Sequence, residues 1–418
     1  MHRSIQIAAL SAALALSAST ALAEPIRLNI GTHDARLVDQ VRSIIEEAHE
    51  GALVRSLPGR RFLTVSLPAS RAAAAITDPR LAPLTRYIER DRTLAIPELE
   101  QWMARIHAGE PIATAAPPGG PVGATVPNDP HYGQQYGPAC VDAEAAWEHV
   151  PPRPEVIVAI IDTGIDLSHA DLRANIDIDL DWDFVDNDNR PKDDMGHGTH
   201  LAGIIAAITN NGVGIAGHAQ VTLVGLKALT QFGLGKTSDI VAAIFHAGDI
   251  GADFINMSLG GTGYIASMHD AVQQVSAEGT LVIAAAGNFG NQNTVYPAAF
   301  PEVMGVSALN RQCNDLAGFS SYGSDNVEIA APGDAVFSTL PDHNTWWNIL
   351  GLLPKNYGEM SGTSMACPAV VGVAAGYKAY DPSFTSEEVR DLLNLYADNL
   401  GDPNKFGSGR VDYFPFVD

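Results

Sequence analysis

The 418-residue sequence has only three cysteines, Cys140, Cys313 and Cys367. So few exclude a disulfide-built scaffold, and no His/Cys cluster has zinc-site spacing. One pair can form in an oxidising compartment, and Cys140 with Cys313 is the expected one. Cys367 sits in an apolar run and reads as a small buried filler. Basic residues are scarce too, 25 Lys and Arg against 48 Asp and Glu. The deficit is uneven: residues 1–124 carry 13 basic and 12 acidic residues, residues 125–418 carry 12 and 36. A chain so acidic lacks the basic patches that phosphate binding needs, which excludes nucleic acid as the expected partner. It suits solubility, cation capture or a saline medium. Long apolar runs are also missing: after residue 23 none reaches the ~20 residues of a membrane span.

The N-terminus has a targeting pattern over residues 1–23. Arg3 supplies the positive start, Ile7 to Leu16 the apolar stretch, and Ala21-Leu22-Ala23 a small-residue cleavage site before Glu24. The expectation is a secreted product, extracellular or periplasmic, with no membrane span.

Residues 24–96 predict a small βαββαβ unit of ferredoxin-like order. Ile26 to Ile30 alternates, Asp34 to His49 has a helical period, and Pro58-Gly59 punctuates a hairpin between Ala52 to Leu57 and Arg61 to Leu67. Ser70 to Ile76 is a short helix, and Leu84 to Ile96 closes the unit as a strand. Residues 97–124 start helix-like and become a Pro/Gly/Ala segment, a linker open to proteolysis. From residue 125 apolar strands (Val156 to Ile161, Val221 to Leu229, Asp253 to Leu259, Leu281 to Ala286, Val303 to Ala308) alternate with helical stretches. That alternation predicts an α/β fold, a doubly wound, mostly parallel sheet with helices on both faces. Functional groups then gather at strand C-termini.

Ser364, between small residues at the start of an apolar helix, places a hydroxyl where backbone N–H groups favour developing negative charge. A serine is a weak nucleophile without a base and an orienting acid. Asp162, in Ile160-Ile161-Asp162-Thr163-Gly164, and His197, in Gly196-His197-Gly198-Thr199-His200, supply both. Together with Ser361-Gly362-Thr363-Ser364-Met365-Ala366, Asn256-Met257-Ser258-Leu259-Gly260 and Ala285-Ala286-Gly287-Asn288, these segments resemble the motifs of the subtilisin family of serine peptidases, nearest its thermitase branch.

The resemblance covers residues ~127–413 and implies a serine endopeptidase. Ser364 is then the nucleophile, His197 the general base and acid, and Asp162 its orienting partner; Asn288 and the Ser364 N–H are oxyanion donors. Ser258, Leu259 and Gly260 would form one wall of the specificity pocket, Ala286 and Gly287 the other, and Gly233 would pair with an extended substrate. Two calcium sites are implied. One uses Asp183, Asp186 and Asp188 with the carbonyls of Arg190 and Lys192. The other uses Asp129, Asp171 and Asn211 with the carbonyls of Ile208, Val213 and Ile215. Plain alternatives are a solvated acidic loop and an ordinary turn.

The sequence departs from the family twice. Cys367-Pro368-Ala369 stands where a histidine usually follows the proline, with Pro368 expected in the first helical turn. An insertion, residues 342–358, carries Trp346, Trp347, Ile349, Leu350, Leu352 and Leu353. It reads either as a rim gripping substrate, prosegment or partner, or as satellite core.

Residues 24–~124 resemble the family's inhibitor-like propeptides, with Tyr87-Ile88-Glu89-Arg90-Asp91 as the matching pattern. The resemblance implies a monomeric precursor, autoinhibited by its own propeptide and cut within Ala116 to Asn128, acting on proteins or peptides. The alternatives are a narrow-specificity processing peptidase, an enzyme that keeps its inhibitor, and an inactive binding protein on this scaffold.

Overall fold

A computed structural model describes residues 25–108 and 126–413. The expected targeting segment and the Pro/Gly/Ala segment lie outside the described residues.

The N-terminal unit runs β1 (Ile26–Thr32), α1 (Val38–His49), β2 (Ala52–Ser56), β3 (Phe62–Leu67), α2 (Ala69–Ile76) and β4 (Thr85–Arg90). Its antiparallel sheet has the order β2-β3-β1-β4, as the βαββαβ pattern requires. Leu28, Ile30, Val41, Ile45, Leu63 and Val65 form a core of its own.

The sequence predicts one strand from Leu84 to Ile96, and the structure breaks it in two. After β4 the chain leaves the sheet, and β5 (Thr93–Ala95) pairs antiparallel with β9 (Leu234–Lys236) of the C-terminal unit. Asp91 causes the break. Its carboxylate accepts from Ser238 N at 2.8 Å, Ser238 Oγ at 2.8 Å and Thr237 Oγ1 at 2.7 Å. It thereby caps the N-terminus of α5 (Thr237–Asp249) from outside. Glu89 does the same for α6 (Ala266–Ala277), accepting from Ala266 N and Ser267 N at 3.0 and 2.9 Å. Helix α3 (Leu99–Ala108) follows, over the stretch whose start reads as helix-like in the sequence.

In the C-terminal unit a seven-stranded parallel sheet has the order β13-β12-β11-β10-β6-β8-β7. Its middle strands are β6 (Arg153–Asp162), β10 (Phe254–Met257) and β11 (Leu281–Ala285); β8 (Val221–Lys227) and β7 (Trp182–Asp183) lie to one side, β12 (Val303–Leu309) and β13 (Ile329–Pro332) to the other. Helices α4 (His197–Ala206), α5, α6 and α7 (Thr363–Tyr380) cover its faces, and α8 (Ser386–Tyr396) packs on α7. Cys140 and Cys313 form a disulfide, and Cys367 is buried.

Helix α7 starts at Thr363, so Pro368 lies in its second turn, not the first. A proline there cannot donate to the carbonyl four residues earlier. That carbonyl, of Ser364, instead accepts from Ser258 Oγ at 2.9 Å. Among the described residues no helix is long and apolar enough to cross a membrane.

The two external caps predict that Asp91→Ala, made in a Ser364→Ala background, lowers the thermal midpoint of the full chain. Loss of a cap costs about 0.5–2 kcal/mol. An unchanged midpoint would show that the cap contributes nothing.

Candidate active site

Asp162 ends β6, at the C-terminal edge of the sheet, and His197 opens α4. His197 Nδ1 donates to Asp162 Oδ1 at 2.7 Å. The same oxygen accepts from Thr163 N at 2.7 Å, which fixes the carboxylate against the strand end. Asp193 holds the turn that presents the imidazole. Its Oδ1 accepts from Thr163 Oγ1, Met195 N and Gly196 N, and its Oδ2 from Thr199 N and Oγ1. Gly198 is required here, since a Cβ would overlap the Gly164 carbonyl.

Ser364 lies buried in the first turn of α7. Its Oγ donates to Glu98 Oε2 at 2.8 Å, and its N–H donates to Glu98 Oε1 at 3.3 Å. Asn288 Nδ2 donates to that same Oε1 at 2.9 Å. Thr363 sets the amide's orientation, because its N–H and Oγ1 both donate to Asn288 Oδ1 at 2.9 Å. The two oxyanion donors expected from the sequence therefore converge on one oxygen atom, and that atom belongs to a carboxylate of the N-terminal unit. Gly362 leaves room for it, since a Cβ there would overlap Glu98 Oε1.

His197 Nε2 faces the other oxygen, 3.4 Å from Glu98 Oε2, and makes no hydrogen bond. The hydroxyl and the imidazole thus meet across one carboxylate oxygen. Burial alone would push His197 down, but the Asp162 and Glu98 carboxylates push it up to about 10. His200, in the same motif, has no charged partner to offset burial and is pushed down to about 3, with Nε2 on the Gly358 carbonyl.

The expected substrate residues line the same cleft. Ile96 N donates to Gly233 O at 3.0 Å, and Gly260 N donates to Ala95 O at 3.1 Å. Residues 93–96 therefore lie as a strand between the two edges that would hold an extended peptide. Ser258 and Leu259 are buried, and Ser258 O accepts from Ser364 Oγ at 3.3 Å. Ala286 is buried, and Gly287 N donates to Thr363 Oγ1 at 3.1 Å.

The two candidate calcium sets differ in geometry. Asp129 and Asp171 are both buried and make no ion pair among the described residues. Asp129 accepts from Asn210 N and Asn211 N; Asp171 accepts from Ile215 N and Asn211 Nδ2. Burial, reinforced by the Asp129 charge, pushes Asp171 up to about 6. This pair, beside the Ile208 to Ile215 loop, fits an oxygen-liganded cation that would relieve the repulsion. In the other loop Asp183 and Asp188 pair through their backbones, Asp183 Oδ1 accepts from Val185 N and Asp186 N, and Asp188 Oδ1 from Arg190 N. Arg190 O is also engaged, by Lys192 N at 2.6 Å. These carboxylates serve the loop's own amides.

Sequence reasoning missed Glu98, Thr363 and Asp193 as functional residues. Thr363 and Asp193 lie inside or beside recognised motifs, so proximity was a usable signal. Glu98 sits at the start of a short helix-like stretch ahead of the linker, and nothing local marks its carboxylate as a ligand.

The His197 environment yields a pH prediction. In Ser364→Ala full chain, the His197 ring should stay protonated well above neutral pH and titrate near 10 by NMR. Glu98→Gln should lower that value by removing one of its two anionic partners. An identical titration in both would contradict the assignment.

The family model described as the subtilase family matches residues 153–409. The chain is 43% identical over 290 residues to halolysin of Haloferax mediterranei, covering 68% of this chain and 53% of that one. It is 40% identical over 294 residues to the halolysin-like extracellular serine protease Nep of Natrialba magadii, covering 69% and 52%. It is 37% identical over 294 residues to thermitase of Thermoactinomyces vulgaris, covering 70% and 99%. The chain spans about half the length of the two halolysin-type relatives and nearly all of thermitase. With five motifs in order, a parallel sheet that places them at one edge, and a match over most of the C-terminal unit, the chain belongs to the subtilase family, on its thermitase-like side.

Proposed function

We propose that this chain is an exported serine endopeptidase, made as a precursor that its own prosegment holds inactive. The observation that carries the reading is the convergence of Ser364, its N–H, Asn288 and His197 on the two oxygens of one carboxylate. Those are the groups that acyl transfer needs around a tetrahedral oxyanion. With Glu98 withdrawn, a substrate carbonyl takes its place. Ser364 Oγ attacks the carbonyl carbon while His197 Nε2 accepts the hydroxyl proton. Asp162 stabilises the imidazolium, and Asn288 Nδ2 with Ser364 N–H receives the oxyanion. The proton then passes from Nε2 to the leaving amine, and water repeats the sequence on the acyl-enzyme. Each oxyanion donor supplies about 3–4 kcal/mol to the transition state.

Inhibition follows from the same contacts. Residues 93–96 enter as a substrate would, but after Pro97 the chain turns into α3 and offers the side-chain carboxylate of Glu98 in place of a scissile bond. A protonated His197 adds a favourable charge facing Glu98, which sets the sign. A group raised in the clamped state favours clamping at lower pH, and that contribution is lost as pH rises through about 10.

Ser364→Ala should abolish hydrolysis of a denatured protein substrate by the mature chain; retained hydrolysis would end the reading. Glu98→Gln should speed maturation about 10–100-fold, the worth of a hydrogen bond to a charged group. An unchanged rate, followed by gel during secretion, would show that Glu98 is not the clamp.

Asp129, Asp171 and Asn211, with neighbouring carbonyls, are proposed to hold calcium, which would supply charge neutralisation and tie the start of the C-terminal unit to the Ile208 to Ile215 loop. The Asp183 to Lys192 loop is a second proposed set, requiring its carboxylates to turn away from their own amides. Without the cation, a carboxylate raised to about 6 costs stability as pH rises from about 4 through 6. Chelator should therefore lower the thermal midpoint of the mature chain, more at pH 7 than at pH 4. Asp171→Asn should blunt the first response, and Asp186→Ala tests the second set. A midpoint indifferent to chelator would remove the proposal.

A further inference from the structure

The insertion at residues 342–358 reaches toward the catalytic imidazole, and one side chain of α3 packs against both. Trp102 is 3% exposed. Its ring lies 6.0 Å from the His197 ring and 5.7 Å from the Trp347 ring, edge-on to both. Trp102, supplied by the N-terminal unit, is thus in edge contact with a ring of the triad and a ring of the insertion.

The anchoring of Trp347 does not depend on that unit. Trp347 Nε1 donates to Gln231 O at 2.8 Å, which ties the indole to the loop leading into Gly233. Its one-turn helix, Trp346–Ile349, is closed by a reciprocal capping pair between Thr345 and Asn348. Asn348 Nδ2 holds His343 O at 2.8 Å, and His343 Nε2 bonds Asp193 O at 3.0 Å, the residue that organises the His197 turn. A Cβ on Gly196 would meet the Leu353 side chain at 3.2 Å, so the far end of the insertion also abuts that turn. Every one of these contacts lies within the C-terminal unit. With α3 withdrawn, these contacts would hold Trp347 in place and leave the space now taken by Trp102 open beside it and His197.

The path of α3 says which part of a substrate would reach that space. Ala95 and Ile96 pair with Gly260 and Gly233 on the acyl side, and Glu98 meets the nucleophile. The chain beyond Glu98 has passed the reacting centre, and Trp102 lies one helical turn further. We propose that the space beside His197 and Trp347 is a leaving-group-side subsite that takes a large aromatic side chain carried one or two residues beyond the scissile bond. Trp102 is its internal stand-in. An aromatic ring fills such a space with edge-to-face contacts to both rings, whereas a small side chain leaves it to water. Because Trp347 belongs to an insertion, the preference is a property of this chain and not of the fold. The inference rests on the endopeptidase reading above.

The test uses mature enzyme and paired fluorogenic peptides with one acyl side, carrying Trp or Ala at the first or second position after the scissile bond. Wild type should favour the Trp peptide at one of these positions by about 10-fold or more in kcat/KM. Trp347→Ala should bring that ratio toward unity, and Trp347→Phe should retain part of it. Should Trp347→Ala fail to fold, the wild-type ratio and Trp347→Phe decide the matter. Equal rates on the paired peptides in wild type, or a ratio untouched by Trp347→Ala, would overturn this inference alone. No hydrolysis of any peptide would overturn the endopeptidase reading, and this inference with it.

Discussion

A single buried carboxylate, Glu98, organises the centre of this molecule. It accepts from Ser364 Oγ, Ser364 N and Asn288 Nδ2, and it faces His197 Nε2. Burying an anion is costly unless donors and a cation compensate it. Here both come from groups whose proposed task is to stabilise a transient oxyanion. The same preorganisation that would serve catalysis would serve the proposed inhibition, and the two uses exclude each other because they need the same atoms.

That economy depends on the fold. Parallel strands bring Asp162 to one edge of the sheet, α4 and α7 start at that edge, and their first turns present His197 and Ser364. Small residues are needed where these turns crowd: Gly198 against Gly164, and Gly362 against Glu98. The N-terminal unit uses the same physics at a distance. Glu89 and Asp91 place carboxylates on the N-termini of α6 and α5, where unpaired N–H groups await acceptors. Its docking is thus a set of anions seated on helix ends, the last of them at α7. The acidic balance of the C-terminal unit does not oppose this, because the contacts are local and hydrogen-bonded, reinforced by Arg60 and Arg61 reaching Asp249, Glu278 and Asp270.

Much of this was legible in the sequence, for identifiable reasons. Asp162, His197, Asn288 and Ser364 lie in short motifs whose chemistry demands those residue types, and the strand-helix alternation gave the parallel sheet. The break between β4 and β5 was not legible. Leu84 to Ile96 has strand character throughout, and only tertiary partners, Thr237 and Ser238 on Asp91, turn the chain. Glu98 escaped for the same reason: its partners are 190 and 266 residues away in sequence. Pro368 looked like a first-turn proline because the helix start is marked by Gly362 and Thr363 and by no strong cap. The insertion was open to two readings, and its side chains divide between the core and a contact with the N-terminal unit. Leu350, Leu352 and Leu353 join the main core, while Trp347 reaches across to Trp102.

The central claim is that one hydroxyl, Ser364, is the nucleophile and that Glu98 silences it. The most direct measurement is the rate at which a serine-directed covalent probe labels the chain before and after the N-terminal unit is removed. The account predicts rapid labelling of the mature chain, slow labelling of the full chain, and none in Ser364→Ala. A mature wild-type chain that resists the probe, or a full chain labelled as fast as the mature one, would contradict it.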